Sequence, residues 1–99
     1  MKKVNDPIRE QLRNECRKIQ KDYLWLVSRT LTKAVYLDHP TPYAYEVRLI
    51  FAKFTSIPGE LIYQWKAQLG CQSFTVDILY EHMTIVFYKL VNNDYMNTN

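Results

Sequence analysis

The sequence predicts an α+β domain in which two helices pack on one face of a four-stranded antiparallel sheet. Two segments carry apolar residues at helical spacing, and each is followed by two segments rich in β-branched and aromatic residues, which gives the order αββαββ. The chain has 99 residues, 47% of them hydrophobic, which suffices for one domain with one core. We expect residues 1–91 to form this domain and residues 92–99 to form a flexible C-terminal tail.

The first element is a long N-terminal helix. Asp6 can cap its first turn, and Pro7 suits its first position because no hydrogen bond is lost there. An apolar stripe at spacings of three or four predicts a helix from Pro7 to about residue 27 or 28. The stripe consists of Ile8, Leu12, Cys16, Ile19, Tyr23 and Leu26.

Two strands should follow, joined by a loop over residues 38–42 that contains two prolines. Residues 30–37 are rich in β-branched side chains and place an apolar side on Leu31, Val35 and Leu37, which Lys33 shares. Residues 43–54 alternate between apolar and polar, which favours a half-buried strand. A helix through Val47, Ile50 and Phe54 is the alternative. The apolar positions of the strand are Tyr43, Tyr45, Val47, Leu49 and Phe51.

The second half repeats this order. Ser56 can cap a short helix whose first turn tolerates Pro58, and Gly70 supplies a left-handed C-terminal residue. Leu61, Trp65 and Leu69 form its apolar stripe. Residues 74–80 and 83–91 then predict two antiparallel strands joined by a tight turn near residues 81–82.

Two short matches suggest an internal αββ repeat. Tyr23-Leu24-Trp25 resembles Tyr63-Gln64-Trp65, and residues 35–39 resemble residues 78–82. The offset changes from 40 to 43 residues between the two matches, so a chance similarity is the alternative.

No catalytic, cofactor or metal motif is found in the sequence, and we expect a protein without enzymatic activity, cofactor, metal or small-molecule substrate. Cys16, His39, Cys71 and His82 lack the local spacing of zinc ligands. Two glycines are too few for a phosphate-binding loop. We expect both cysteines to be free and buried, because we also expect an intracellular protein. A single disulfide is the alternative.

Positive charge is concentrated near the N-terminus. Residues 1–35 carry nine Lys and Arg against four acidic residues, whereas residues 36–99 carry four against six. Basic residues at successive spacings of four form a cationic ribbon along the first helix. This ribbon could contact a nucleic-acid backbone or simply be a solvated helix face. The candidate nucleic-acid-binding residues are Arg9, Arg13, Arg17, Lys18 and Lys21.

Eight tyrosines in this length of chain are typical of protein interfaces, because the ring can be buried while the hydroxyl finds a partner. Stacking on nucleic-acid bases is the alternative. Our candidate interface residues are Tyr43, Tyr45, Tyr80 and Tyr88.

These features favour a small accessory protein that associates with itself, as a dimer, with nucleic-acid binding as the alternative function. A short tyrosine-rich domain without a catalytic motif is typical of viral or mobile-element proteins. The apolar runs are far shorter than the roughly 18 residues that span a bilayer, and no apolar signal-peptide segment follows the N-terminal lysines, so we expect an intracellular protein with no membrane partner.

Overall fold

The structure is a computed structural model and describes residues 6–38, 42–52, 56–79 and 82–91. Its strands form one antiparallel sheet in the order β1-β2-β4-β3, with the helices on one face, which confirms the predicted fold class and element order. The elements are α1 (Pro7–Asp22), β1 (Val27–Val35), β2 (Ala44–Phe51), α2 (Gly59–Leu69), β3 (Ser73–Leu79) and β4 (His82–Leu90). The predicted C-terminal tail lies outside the described residues.

The hydrophobic core lies between the helices and one face of the sheet. The predicted alternation of β2 is confirmed, because its odd-numbered residues from Tyr45 to Phe51 face the helices. Trp65 of α2 reaches across this layer, with its ring centroid 6.3 Å from that of Phe51. The helices contribute Leu12, Cys16, Ile19, Trp65 and Leu69, and the two central strands contribute Tyr45, Val47, Leu49, Phe51, Met83, Ile85 and Phe87.

Helix α1 ends earlier than predicted. It stops at Asp22, and the backbone carbonyl of Tyr23 accepts the N–H groups of Leu26 (2.9 Å) and Val27 (2.8 Å) in a tight turn. Tyr23 and Leu26 still pack against the core, so the apolar spacing continues through the turn although the helix does not. Trp25 lies at this turn and is 80% exposed.

Strand β1 starts earlier than predicted and presents the opposite side to the core. Thr32 is 8% exposed, whereas Leu31, which the sequence analysis placed on the apolar side, is 41% exposed. The physical reason is the close approach of α1, whose Cys16 Sγ lies 3.8 Å from Thr32 Oγ1. Only small side chains fit beneath the helix, so the larger Leu31 and Lys33 point to the other face.

Helix α2 begins at Gly59, with Pro58 at the N-cap position and no side-chain cap. The predicted cap at Ser56 is therefore wrong, because the helix starts too far along the chain for Ser56 to reach its first turn. Gly70 is confirmed as the C-terminal residue in the left-handed region, with φ of 67°. Trp65 and Leu69 are buried as predicted.

The αββ topology occurs twice, but one of the two sequence matches is not equivalent in space. Tyr23 follows α1, whereas Tyr63 lies within α2. Tyr23 instead packs its ring edge-on against Trp65, with 5.3 Å between the centroids. Val35 and Ile78 do both lie near the end of the first strand of their half. The two Tyr-x-Trp segments therefore occupy different positions in their halves, since Trp65 is buried whereas Trp25 is exposed.

One polar contact ties the start of α1 to the sheet. The Tyr45 hydroxyl donates to the Asp6 carboxylate at 2.6 Å, and the same carboxylate accepts the backbone N–H of Arg9 at 3.2 Å. Burial, together with this bond, raises the pKa of Tyr45 above its ordinary value. Asp6 thus caps the helix and fixes its position on β2 at once.

We expect Tyr45→Phe to lower the free energy of unfolding by about 1.5 to 3 kcal/mol, because a charge-assisted hydrogen bond is lost from the helix cap. Urea denaturation measures this loss. Tyr36→Phe is the matched control, since Tyr36 is exposed and its variant should stay within about 0.5 kcal/mol of the parent. Equal stability of the two variants would contradict this role of Asp6.

Candidate functional site

The sheet has two edge strands, β1 and β3, whose outer backbone groups differ in their contacts with the rest of the chain. An edge strand presents backbone N–H and C=O groups that can pair with another chain unless side chains or another element block them. The state of each edge therefore decides where this domain can extend its sheet.

Side chains of α1 block the β1 edge. Gln20 Nε2 donates to the carbonyl of Ser28 at 3.0 Å, and Arg9 Nη2 lies 3.5 Å from the carbonyl of Thr32. Arg29 and Lys33 add charge along the same strand. A second chain would have to displace these contacts before it could pair with β1.

The β3 edge carries no comparable contact among the described residues. Strand β3 has one charged residue, Asp77, and no proline. Val76 and Ile78 lie on the side of the sheet that bears the helices, yet they are 44% and 55% exposed. This combination of β-branched residues, little charge and an uncovered backbone is typical of a strand that pairs with another strand.

Helix α2 is too short to cover this part of β3. Its Tyr63 ring packs edge-on against Phe74 at 5.6 Å between centroids, and Phe74 packs in turn on Phe87 at 6.0 Å. The first half of β3 is thereby anchored to α2 and β4. Val76 and Ile78 extend beyond that anchor, and sequence reasoning missed them because they look like ordinary core positions.

The face of the sheet opposite the helices is mixed in character. Arg48 donates to Glu46 at 3.1 Å, and this pair lies beside Leu31 and Ile50 in a depression of about 250 Å³. Val86 is fully buried on this face, between Arg48 and Thr75 in the strand register. Because apolar side chains are interleaved with a satisfied ion pair, this face offers less uninterrupted apolar surface than the β3 edge.

The three predicted interface tyrosines that the structure describes do not form one surface. Tyr45 is 2% exposed and its hydroxyl is used by Asp6, so it belongs to the core. Tyr43 is half-buried between β1 and β4, where its N–H donates to Val35 and its carbonyl accepts from Val91. Tyr88 is half-buried opposite Glu46. Tyr80 lies outside the described residues.

The structure brings three of the predicted cationic residues into one groove. Arg9, Arg13 and Arg17 line a groove of about 360 Å³ between α1 and β1, together with Gln20, Thr30, Leu31 and Thr32. No residue in this lining is acidic. Arg9 Nε is buried and has no hydrogen-bond partner within the described part of the chain. A groove lined by three arginines and no carboxylate suits an anion.

The remaining two cationic candidates lie apart from this groove. Lys18 pairs with Glu15 at 3.3 Å, and neither it nor Lys21 is among the groove residues. Glu15 also accepts the Gln68 amide at 3.1 Å, a bond between the two helices that, together with Lys18, lowers the pKa of Glu15. The fold thus places three arginines of the helical ribbon in the groove with β1 and leaves Lys18 and Lys21 outside its lining.

Cys16 and Cys71 are free and buried. Burial raises the pKa of each thiol to about 11, which suppresses the reactive thiolate at neutral pH. Within the described ranges, no group of three or more His, Cys, Asp and Glu side chains is placed to hold a metal ion. His39 falls outside those ranges, whereas His82 is exposed at the start of β4.

Comparison of the chain with protein-family models, curated proteins and solved structures finds no match. The expected viral or mobile-element origin therefore stays a prediction. Neither of the two described helices is long and apolar enough to cross a membrane.

We expect the native protein to react with iodoacetamide at pH 8 more than about 100-fold slower than an exposed peptide cysteine of ordinary pKa, about 8.5, because a pKa near 11 leaves about one thiol in a thousand ionised. After unfolding without a reductant, mass spectrometry should find two labelled cysteines. A mass lower by two hydrogens and no label would instead show a disulfide.

Proposed function

We propose that this protein is a small, non-enzymatic binding module that associates with itself. The observation that carries the proposal is the β3 edge, which no described residue blocks and on which Val76 and Ile78 are exposed beside a single charge. The contrast with β1 supports it, since Gln20 and Arg9 of the same chain contact the Ser28 and Thr32 carbonyls of that edge.

The chemistry of the chain agrees with a binding role. Its strongest nucleophiles, Cys16 and Cys71, are buried and hard to ionise. Pairing of exposed strand edges is a common way for proteins to bind one another, because backbone hydrogen bonds supply affinity without a specialised pocket. A second copy of the chain is a partner that is present wherever the protein itself is present.

Light scattering coupled to size exclusion should give a molar mass near twice the 11.9 kDa of the chain. We expect the mass to fall toward that of one chain on dilution, because association through an edge buries a modest area. A monomer at every concentration up to high micromolar would contradict self-association.

The arginine groove favours nucleic-acid binding as a second candidate function. Three arginines and the Gln20 amide line one groove that has no carboxylate. The buried Arg9 Nε has no hydrogen-bond acceptor within the described residues. Residues four apart on a helix are separated by about 6 Å along its axis, so the arginines present charge repeatedly along one direction. A phosphodiester backbone supplies acceptors in the same repeating way.

Replacing Arg13 and Arg17 with Gln should reduce the salt dependence of binding to duplex or single-stranded DNA. If both contact phosphates, the slope of log affinity against log salt becomes shallower by nearly two units on duplex DNA. Lys18→Gln with Lys21→Gln removes the same charge outside the groove and should leave the slope nearly unchanged. Equal effects of the two double variants, or no binding by the parent at low salt, would contradict a groove-specific site.

A further inference from the structure

We propose that two copies of the chain pair their β3 strands antiparallel about a two-fold axis at Val76, which joins two sheets into one of eight strands. This inference rests on the proposed self-association and adds its geometry. It follows from three features of β3: the direction of its backbone groups, the side chains that the pairing would bring together, and the position of its single charge.

The first feature is the direction of the backbone groups. The N–H of Val91 points to Tyr43 on the β2 side, whereas the carbonyl of Tyr88 and the N–H of Leu90 both meet Gln72 on the β3 side. Alternation along an antiparallel strand therefore directs the even-numbered residues of β4 toward β3. Their register partners in β3 are the odd-numbered residues, from Ser73 to Leu79.

It follows that the even-numbered residues of β3 point their N–H and C=O groups away from the sheet. These residues are Phe74, Val76 and Ile78. When Val76 faces Val76 of a second copy, Phe74 faces Ile78, and all three residues of each chain meet outward-pointing groups of the other. The edge is thus complementary to itself in this register.

The second feature is the side chains on these same residues. All three lie on the helix-bearing side of the sheet, where Val76 and Ile78 are exposed. Pairing at Val76 places apolar side chains opposite apolar side chains at each of these positions, so the core of one copy continues into the next.

The third feature is Asp77, which selects among the possible registers. Pairing at Val76 places Asp77 opposite Thr75, which is neutral. Centring the pair on Asp77 would bring two carboxylates face to face, which is unfavourable. Centring it on Thr75 would place Ile78 opposite the polar Gln72 and lose apolar contact. Of these three registers, only the one at Val76 satisfies both the charge and the apolar side chains.

The test compares Val76→Lys with Thr75→Lys by sedimentation velocity and circular dichroism. Val76→Lys places two ammonium groups at the axis and should weaken the dimer about a hundredfold, since unit charges about 6 Å apart repel strongly at a partly buried site. Thr75→Lys adds the same charge one residue away, opposite Asp77, and should keep or strengthen the dimer. Both positions are exposed in one chain, so both variants should fold.

Each outcome has a distinct meaning. Loss of the dimer in Val76→Lys alone supports the register. A dimer that persists in both variants overturns β3 pairing but leaves self-association standing, and loss in both variants overturns the register. A parent protein that is monomeric overturns the proposed function as well.

Hydrogen exchange gives a second measurement that does not depend on a variant folding. The Val76 amide points outward in a single chain, so it should exchange quickly in dilute protein and become protected at concentrations where the dimer forms. Unprotected exchange at Val76 in a sample that is fully dimeric would overturn the pairing.

Discussion

Two helices of unequal length have to cover one face of four strands, and the exposed surfaces of this protein follow from how they share it. Helix α1 has 16 residues and α2 has 11, which corresponds to about 24 and 16 Å, whereas a nine-residue strand such as β4 spans about 30 Å. Because α1 lies against β1 and is anchored by Asp6 to Tyr45, its side chains reach over the β1 edge. The shorter α2 secures Phe74 and leaves Val76 and Ile78 uncovered.

The sequence predicted the elements correctly where a local signal, such as apolar and polar alternation or a glycine at a helix end, determines the structure. Alternation through Tyr45, Val47 and Leu49 identified β2, and Gly70 marked the end of α2, because each signal has one local physical cause. The errors lie where tertiary contacts override local pattern. Leu31 is more apolar than Thr32, but the close approach of Cys16 admits only the smaller side chain on the core side.

The candidate surfaces were only partly predictable for a related reason. Helical spacing was enough to place Arg9, Arg13 and Arg17 on one side of α1, but the groove also needs β1 beside them. An edge strand is defined by the order of strands in the sheet, and the sequence of β3 is compatible with a central position as well. Its low charge content, with Asp77 alone among seven residues, does not distinguish it from the central β4, which carries Lys89 alone among nine residues apart from His82.

The difference between the two edges also bears on how far the proposed self-association would proceed. A sheet with two open edges can add copies without limit, which leads to fibres, whereas a sheet with one open edge is complete after one addition. In this protein Gln20 and Arg9 contact the carbonyls of Ser28 and Thr32 in β1, so the proposed pairing through β3 would leave an obstructed edge at each end of the joined sheet. In the proposed dimer, the Arg9 that borders the arginine groove would therefore help to limit association to one addition, and the two candidate surfaces lie at opposite edges of the sheet.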